Sequence, residues 1–200
     1  MTFDGSSVNR RQGSDTKTEI LDIALSLFVK KGYHETSMQD IADTAGLTKG
    51  GLYYYIKSKD DVLFLLHDRF IVEGLRRLRL VEAESLEPEH KLIELLKMHL
   101  QIIDQFKDDI TLFFNCMKYL SDDKKQAVQE KRDEYEDIFV RVLEEGKNKG
   151  VFKVEDSHIV VLYVLGSCNF MHTWYKPGKG KSIEELSDIF ITLITKGLFQ

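Results

Sequence analysis

Residues 32–63 read GYHETSMQDIADTAGLTKGGLYYYIKSKDDVL, and their punctuation decides the fold. Gly32 stands where a helix ends, and Gly46 makes a tight turn. Ser37, Thr48 and Ser58 each occupy a helix N-cap position, and Asp40 follows Ser37 at capping-box spacing. Two short helices are therefore expected, one over MQDIADTAG and one from Thr48 to about Ile56. Ile41, Ala42 and Ala45 make the inner face of the first. In the second, Leu52, Tyr55 and Ile56 fall at i, i+3 and i+4 and point inward. Lys49, Gly50, Tyr53 and Tyr54 then point elsewhere. Each glycine costs a helix interior about 1 kcal/mol against alanine, so Gly50 and Gly51 need a reason.

Outward from this stretch the chain stays helical. A first helix is expected from about Thr16 to Lys31, capped by Asp15, with Ile20, Ala24, Leu27 and Phe28 as one apolar stripe. Ser58 opens an unusually long fourth helix, and Pro88 suits the first turn of a fifth. A sixth follows over DITLFFNCMKYL, then a charge-laced seventh closed by Gly150. Asp156 or Ser157 starts an eighth that runs to Tyr175, and Ser182 with Glu185 boxes the ninth. No strand-period segment and no repeat interrupts them. The expectation is an all-α chain of about nine helices. It divides into a flexible tail over 1–14, a helix-turn-helix domain over 15–60 and a helical body over 61–200. Arg10 and Arg11, at the end of the tail, could touch phosphates.

Composition bounds the partners. The net charge is −5, which argues against a protein that coats nucleic acid. Residues 1–60 nevertheless balance eight basic against eight acidic side chains, and the remainder holds 20 against 25. An acidic body behind a neutral DNA-binding segment satisfies both facts. Cys116 and Cys168 lie in apolar runs without metal or redox spacing, so buried thiols are expected. The start of the chain has no signal-like apolar core. The run IVVLYVLGSCNFM is shorter than the ~18–20 residues of a membrane span. A cytoplasmic location without membrane contact is the expectation.

Two short helices joined by a glycine turn, behind a longer helix, are a helix-turn-helix, whose second member enters the DNA major groove. Outward tyrosines can donate to phosphate or pack on sugar and thymine methyl groups. Glycines let the backbone approach closely, and Thr48 and Lys49 open a helix end that offers free amides to phosphate. The glycine–aromatic, Thr-Ser, Ile-Ala, Ala-Gly, Thr-Lys-Gly, Leu-Tyr-Tyr and Ser-Lys pairs of residues 18–64 resemble the tetracycline-repressor (TetR/AcrR) family in register. That resemblance implies that Thr36 and Ser37 start the second helix near a phosphate. It implies that Thr48, Lys49, Gly50 and Gly51 open the recognition helix, that Tyr53 and Tyr54 contact DNA, and that Lys59 reaches a phosphate. Ile56 departs from the family's usual Phe, and Tyr55 from its usual His.

The resemblance also implies a homodimeric repressor on a pseudo-palindromic double-stranded operator, released by a small hydrophobic effector. The ninth helix carries Ile183, Leu186, Ile189, Phe190, Leu193 and Ile194 on one broad face, a candidate dimer surface. The eighth is apolar nearly all round, so it can face a core and a partner together. Phe106, Phe113, Phe114, Met117, Tyr135, Phe139, Tyr163, Phe170, Met171 and Trp174 are the candidate effector-pocket side chains. The ending WYKPGKGKSIEELSDIFITLITKGL resembles members that answer fatty acyl-CoA or related CoA thioesters, with a hydrophobic drug or other lipid as the alternative. Neither cofactor nor metal is expected. The competing classes are an all-helical enzyme and a helical scaffold. Six scattered histidines form no HExxH motif and no ExxH pair on matching helices, and no phosphate loop or nucleophile elbow appears.

Overall fold

A computed structural model describes the backbone from residue 5 to 198 and the side chains from residue 15. Ten α-helices and one short 3-10 turn follow one another among the described residues. They are α1 (Gly5–Lys31), α2 (Met38–Thr44), α3 (Lys49–Tyr55), α4 (Lys59–Ala83), α5 (Pro88–Gln105), α6 (Lys107–Cys116), the turn Met117–Tyr119, α7 (Asp122–Asn148), α8 (Ser157–Asn169), α9 (Met171–Trp174) and α10 (Ile183–Leu198). The all-α expectation holds. The count rises by one because the expected eighth helix breaks at Phe170, leaving a single turn as α9. α1 also starts ahead of Thr16, so Asp15 lies inside the helix and does not cap it. The side chains of Arg10 and Arg11 lie outside the described residues.

The caps read from the sequence are in place. Ser37 Oγ accepts from the Asp40 amide while Asp40 accepts from the Ser37 amide. Thr48 Oγ1 accepts from Gly51 N at 3.1 Å. Ser58 Oγ accepts from Asp61 N at 3.0 Å, and Asp61 accepts in return from Lys57 N. Asp156 caps α8 through Ile159 N, and Ser182 and Glu185 cap α10 reciprocally. Gly32, Gly46 and Gly150 turn the chain with φ of 95°, 65° and 72°, a region that side chains disfavour.

The chain divides into two compact units. The first comprises the residues up to His67 together with Leu112–Lys125, and the second Asp68–Thr111 with the chain from Gln126 onward. This differs from a cut after residue 60, because the α6–α7 junction folds with the N-terminal helices. Within the first unit Ile20, Ala24, Phe28, Ile41, Ala42, Leu52, Ile56, Val62, Leu63 and Leu66 form the core. The Tyr119 ring stacks on Tyr33 with centroids 5.6 Å apart, and His34 meets the same ring edge-on at 4.4 Å. Asp60 accepts from Ser121 N and Oγ, and Lys124 Nζ lies 2.6 Å from both Asp60 and Asp61. Burial, reinforced by the Asp60 carboxylate, pushes the Tyr33 phenol up to about 12.

The second unit is built from the rest of α4, α5, the start of α6, most of α7 and α8–α10. Leu78, Leu92, Leu95, Leu96, Leu100, Ile138, Phe139, Leu143, Val161, Cys168 and Met171 are almost wholly buried. α10 packs along α5. Arg69 holds Asp109 at 2.6 Å, a buried carboxylate matched by a charged donor. Gly146 is a packing glycine: a Cβ there would come within 2.1 Å of the Phe152 ring.

Candidate nucleic-acid interface

α3 is anchored by very little. Leu52 and Ile56 are fully buried, two of the three inward side chains its periodicity assigns. Ile56 is also the C-cap, in extended backbone, which ends the helix after seven residues. Tyr55 is half-buried and meets Tyr54 edge-on at 5.1 Å. The opposite face is open. Tyr54 is 83% exposed and Tyr53 38%, and Lys49 Nζ lies 5.9 Å from the centre of the Tyr53 ring. A Cβ on Gly50 would meet nothing within 4 Å, and one on Gly51 would meet Thr48 Oγ1 at 3.3 Å. Gly50 therefore leaves the first turn bare, while Gly51 makes room for the cap.

Thr48, Lys49, Gly50, Tyr53 and Tyr54 thus share one exposed, uncharged-to-positive surface, with half-buried Gly51 behind it. Ser37 is exposed at the start of α2, but its hydroxyl is engaged with Asp40. Lys31 bonds the same carboxylate at 2.8 Å, so that its hydrogen bonds hold Asp40 well below the usual carboxylate range. Lys57, which the motif reading did not single out, is exposed just beyond α3. Its spacing from Lys49 and Tyr53, i, i+4 and i+8, was the available signal.

Two expected DNA-contact side chains are engaged within the fold in this structure. Thr36 is fully buried, and its hydroxyl donates to Gly32 O at 2.9 Å. It satisfies a carbonyl that the end of α1 leaves open. Lys59 Nζ donates to Tyr33 O at 2.8 Å and His34 O at 3.2 Å, and sits 4.8 Å from the Tyr33 ring centre. Its ammonium braces the α1–α2 turn.

The other two residue sets also sort differently from expectation. On α10, Ile183, Leu186 and Ile194 are buried in the single chain, while Ile189 and Leu193 are exposed and Phe190 is half-buried. A broad apolar stripe wraps far enough round the helix to serve the α5 side and leave an outer edge. Of the candidate pocket residues, Tyr163 is 74% and Phe170 61% exposed, so they line an outer face. With Ile159 and Leu162 they follow i, i+3, i+4 and i+11 along α8. Phe113, Phe114 and Met117 belong to the first unit, whereas Phe106, Tyr135, Phe139, Met171 and Trp174 belong to the second. In the second unit Trp174, Tyr175, Lys176, Lys179, Gly180, Lys181 and Leu186 line an open cleft of about 380 Å³. Tyr175, at its wall, donates to Asp104.

Cys116 and Cys168 are buried free thiols. Among the described residues no cluster of histidine, cysteine and carboxylate side chains could hold a metal ion, and no helix is long and apolar enough to cross a membrane.

Comparison with known proteins places this geometry. Residues 20–66 match the pattern of bacterial regulatory proteins of the tetR family, and residues 85–198 match the tetracyclin repressor-like C-terminal domain. The chain is 25% identical over 187 residues to the HTH-type transcriptional repressor KstR2 of Rhodococcus jostii, covering 92% of each chain. A crystallised TetR/AcrR-family regulator from Thermobifida fusca is 33% identical, with a TM-score of 0.75 over 92% of this chain and 98% of that one. AibR, solved in complex with isovaleryl coenzyme A and operator DNA, shares the fold at 20% identity, with a TM-score of 0.78 over 89% of this chain and 97% of that one. The chain belongs to the TetR/AcrR family of DNA-binding transcriptional regulators.

Proposed function

We propose that this regulator is a homodimeric repressor that leaves its operator when a CoA thioester binds the second unit. DNA is engaged by the exposed face of α3, with Lys49, Tyr53 and Tyr54 as the principal side chains and Thr48, Gly50 and Gly51 allowing close approach. Two copies meet through the outer edges of α8 and α10, which set two recognition helices on the half-sites of a pseudo-palindrome. The effector weakens operator binding by preferring one arrangement of the chain, since equal affinity for both would shift nothing. α4, unbroken from Lys59 to Ala83, carries the change along the chain.

The observation that carries the effector reading is the cleft at Trp174. Its aromatic and leucine wall suits an apolar group, and Lys176, Lys179 and Lys181 bring three positive charges to one loop. CoA offers the matching pair, an acyl chain and a set of phosphates. One neighbour of the same fold, AibR, was solved with isovaleryl coenzyme A and operator DNA.

The test combines a gel shift, on DNA from upstream of the protein's own gene, with calorimetric titration of isovaleryl-CoA and longer acyl-CoAs. Acyl-CoA is expected to release the DNA. The triple variant Lys176→Ala, Lys179→Ala, Lys181→Ala is expected to bind acyl-CoA at least about tenfold more weakly while still binding DNA. DNA binding unchanged at saturating acyl-CoA overturns the CoA reading and leaves a hydrophobic drug or other lipid as the effector.

A further inference from the structure

We infer that His99, held by Tyr135 inside the second unit, donates a hydrogen bond to a carbonyl oxygen of the effector and so selects among apolar molecules. The inference rests on the reading of this chain as effector-responsive, but not on the effector carrying CoA.

α5 presents its leucines and isoleucines to the interior, and His99 is the one polar side chain among the buried positions of that helix. It is 5% exposed. Its Nδ1 lies 2.9 Å from the Tyr135 hydroxyl of α7. Phe139, one turn along α7, stacks on Tyr135 at 6.0 Å and meets the imidazole edge-on at 6.3 Å. Gly74 of α4 makes the room: a Cβ there would sit 2.7 Å from Tyr135 Cε2. A tyrosine and a histidine are thus seated as a pair in an otherwise apolar region, and Nε2 of His99 is buried with no hydrogen-bond partner among the described residues.

The relative acidity of the two groups decides what that nitrogen offers. A neutral imidazole has one N–H and one bare nitrogen, and the phenol has one O–H and an accepting oxygen. Either tautomer leaves one donor and one acceptor of the pair over. The phenol is the more acidic donor and the imidazole nitrogen the more basic acceptor, so the tyrosine donates to Nδ1 and the ring proton stays on Nε2. A buried donor left unpaired costs about 1–3 kcal/mol. Nε2–H is therefore a donor. Burial pushes the imidazole down to about 4, so it stays neutral at physiological pH and does not repel an apolar ligand through a charge. An acceptor on a molecule that otherwise fills apolar space is its complement. A carbonyl oxygen meets that description, whether it belongs to a thioester or to a ketone.

The experiment uses the full-length dimer labelled with 15N-histidine, the His99 signals being assigned by their loss in His99→Leu. Wild type is expected to show the neutral pattern with the proton on Nε2, and that resonance is expected to move when a carbonyl-bearing probe saturates the protein. Three probes separate the sources: decanoyl-CoA, S-decyl-CoA, which lacks the thioester carbonyl, and 2-decanone, which lacks CoA. A thioester source gives about tenfold tighter binding of decanoyl-CoA than of S-decyl-CoA, the size of one net hydrogen bond. That preference disappears in His99→Leu and shrinks in Tyr135→Phe. A ketone source shows as a shift with 2-decanone and no preference between the two CoA derivatives. A proton found on Nδ1, or a His99 resonance unmoved by all three probes, overturns the inference and assigns the pair a purely internal role. Acyl-CoA that releases DNA equally from wild type and His99→Leu, with His99 unmoved, overturns it while the CoA reading stands. If neither CoA derivative binds, the CoA reading falls and the 2-decanone arm still decides the role of His99.

Discussion

Tyr54 on α3 and Tyr163 on α8 are both strongly exposed, at 83% and 74%, yet their neighbours give them opposite meanings. Tyr54 stands on a seven-residue helix beside Tyr53, Lys49 and a bare Gly50. A hydroxyl among glycine and lysine suits a polar, negatively charged partner. Tyr163 stands among Ile159, Leu162 and Phe170 on a helix whose other face is already core. That surroundings suit an apolar partner, such as the same face of a second copy. Exposure alone separates neither case from an idle surface side chain; the chemistry of the surrounding helix face does.

The comparison breaks most visibly at the dimer surface. Tyr163→Asp combined with Leu193→Asp is expected to raise the dimer dissociation constant at least about a hundredfold, because charges would have to be buried without partners. Sedimentation velocity checks it, with circular dichroism to show that the helices persist. A variant that stays dimeric at wild-type concentrations would assign the apolar edge to something other than self-association. Next in size is Tyr54→Ala. Loss of a hydrogen bond to a charged acceptor, worth about 1.5–3 kcal/mol, should weaken DNA binding roughly ten- to a hundredfold and leave self-association unchanged. Equal loss of both would mean that Tyr54 is structural.

The lysines sharpen the same contrast by a subtler measure. Each phosphate contact contributes about 0.9 to the slope of log affinity against log salt on duplex DNA. Lys49→Ala should lower the slope by about that amount per binding site. Lys59→Met should leave the slope unchanged and instead lower the melting temperature, because its ammonium braces two carbonyls of the α1–α2 turn. A slope that falls for Lys59→Met would restore it as a phosphate contact. The smallest expected effect is that of Thr36→Val, a loss of about 1 kcal/mol of stability from an unmade hydrogen bond, again with no change in slope.

What could be read in advance follows the range of each interaction. The caps at Ser37, Thr48, Ser58 and Ser182 act over three or four residues, so spacing alone revealed them. The inward triad of α3 is a one-helix pattern, and it held for Leu52 and Ile56. The bond from the Thr36 hydroxyl back to α1 joins two helices across a turn, so spacing within α2 did not reveal it. The carbonyls that Lys59 bonds lie 25 and 26 residues away, beyond any local pattern. Periodicity found the apolar stripe of α10 but could not divide it between the α5 side and the outside. The His99–Tyr135 pair spans 36 residues and two intervening helix breaks, and nothing local in either helix announces it.

The stack of Tyr119 on Tyr33 and the bonds from Ser121 and Lys124 to Asp60 bear on how this protein can be cut and recombined. A fragment ending at His67 would contain every residue of the helix-turn-helix yet strand the Asp60 carboxylate and uncover the Tyr33 ring. A chimera that grafts these N-terminal helices onto a foreign effector domain would have to bring residues 112–125 along, or replace that brace with one of equal fit. The portable module here is therefore discontinuous in the chain, and a gene fusion designed on linear boundaries would inherit the reading head without its strut.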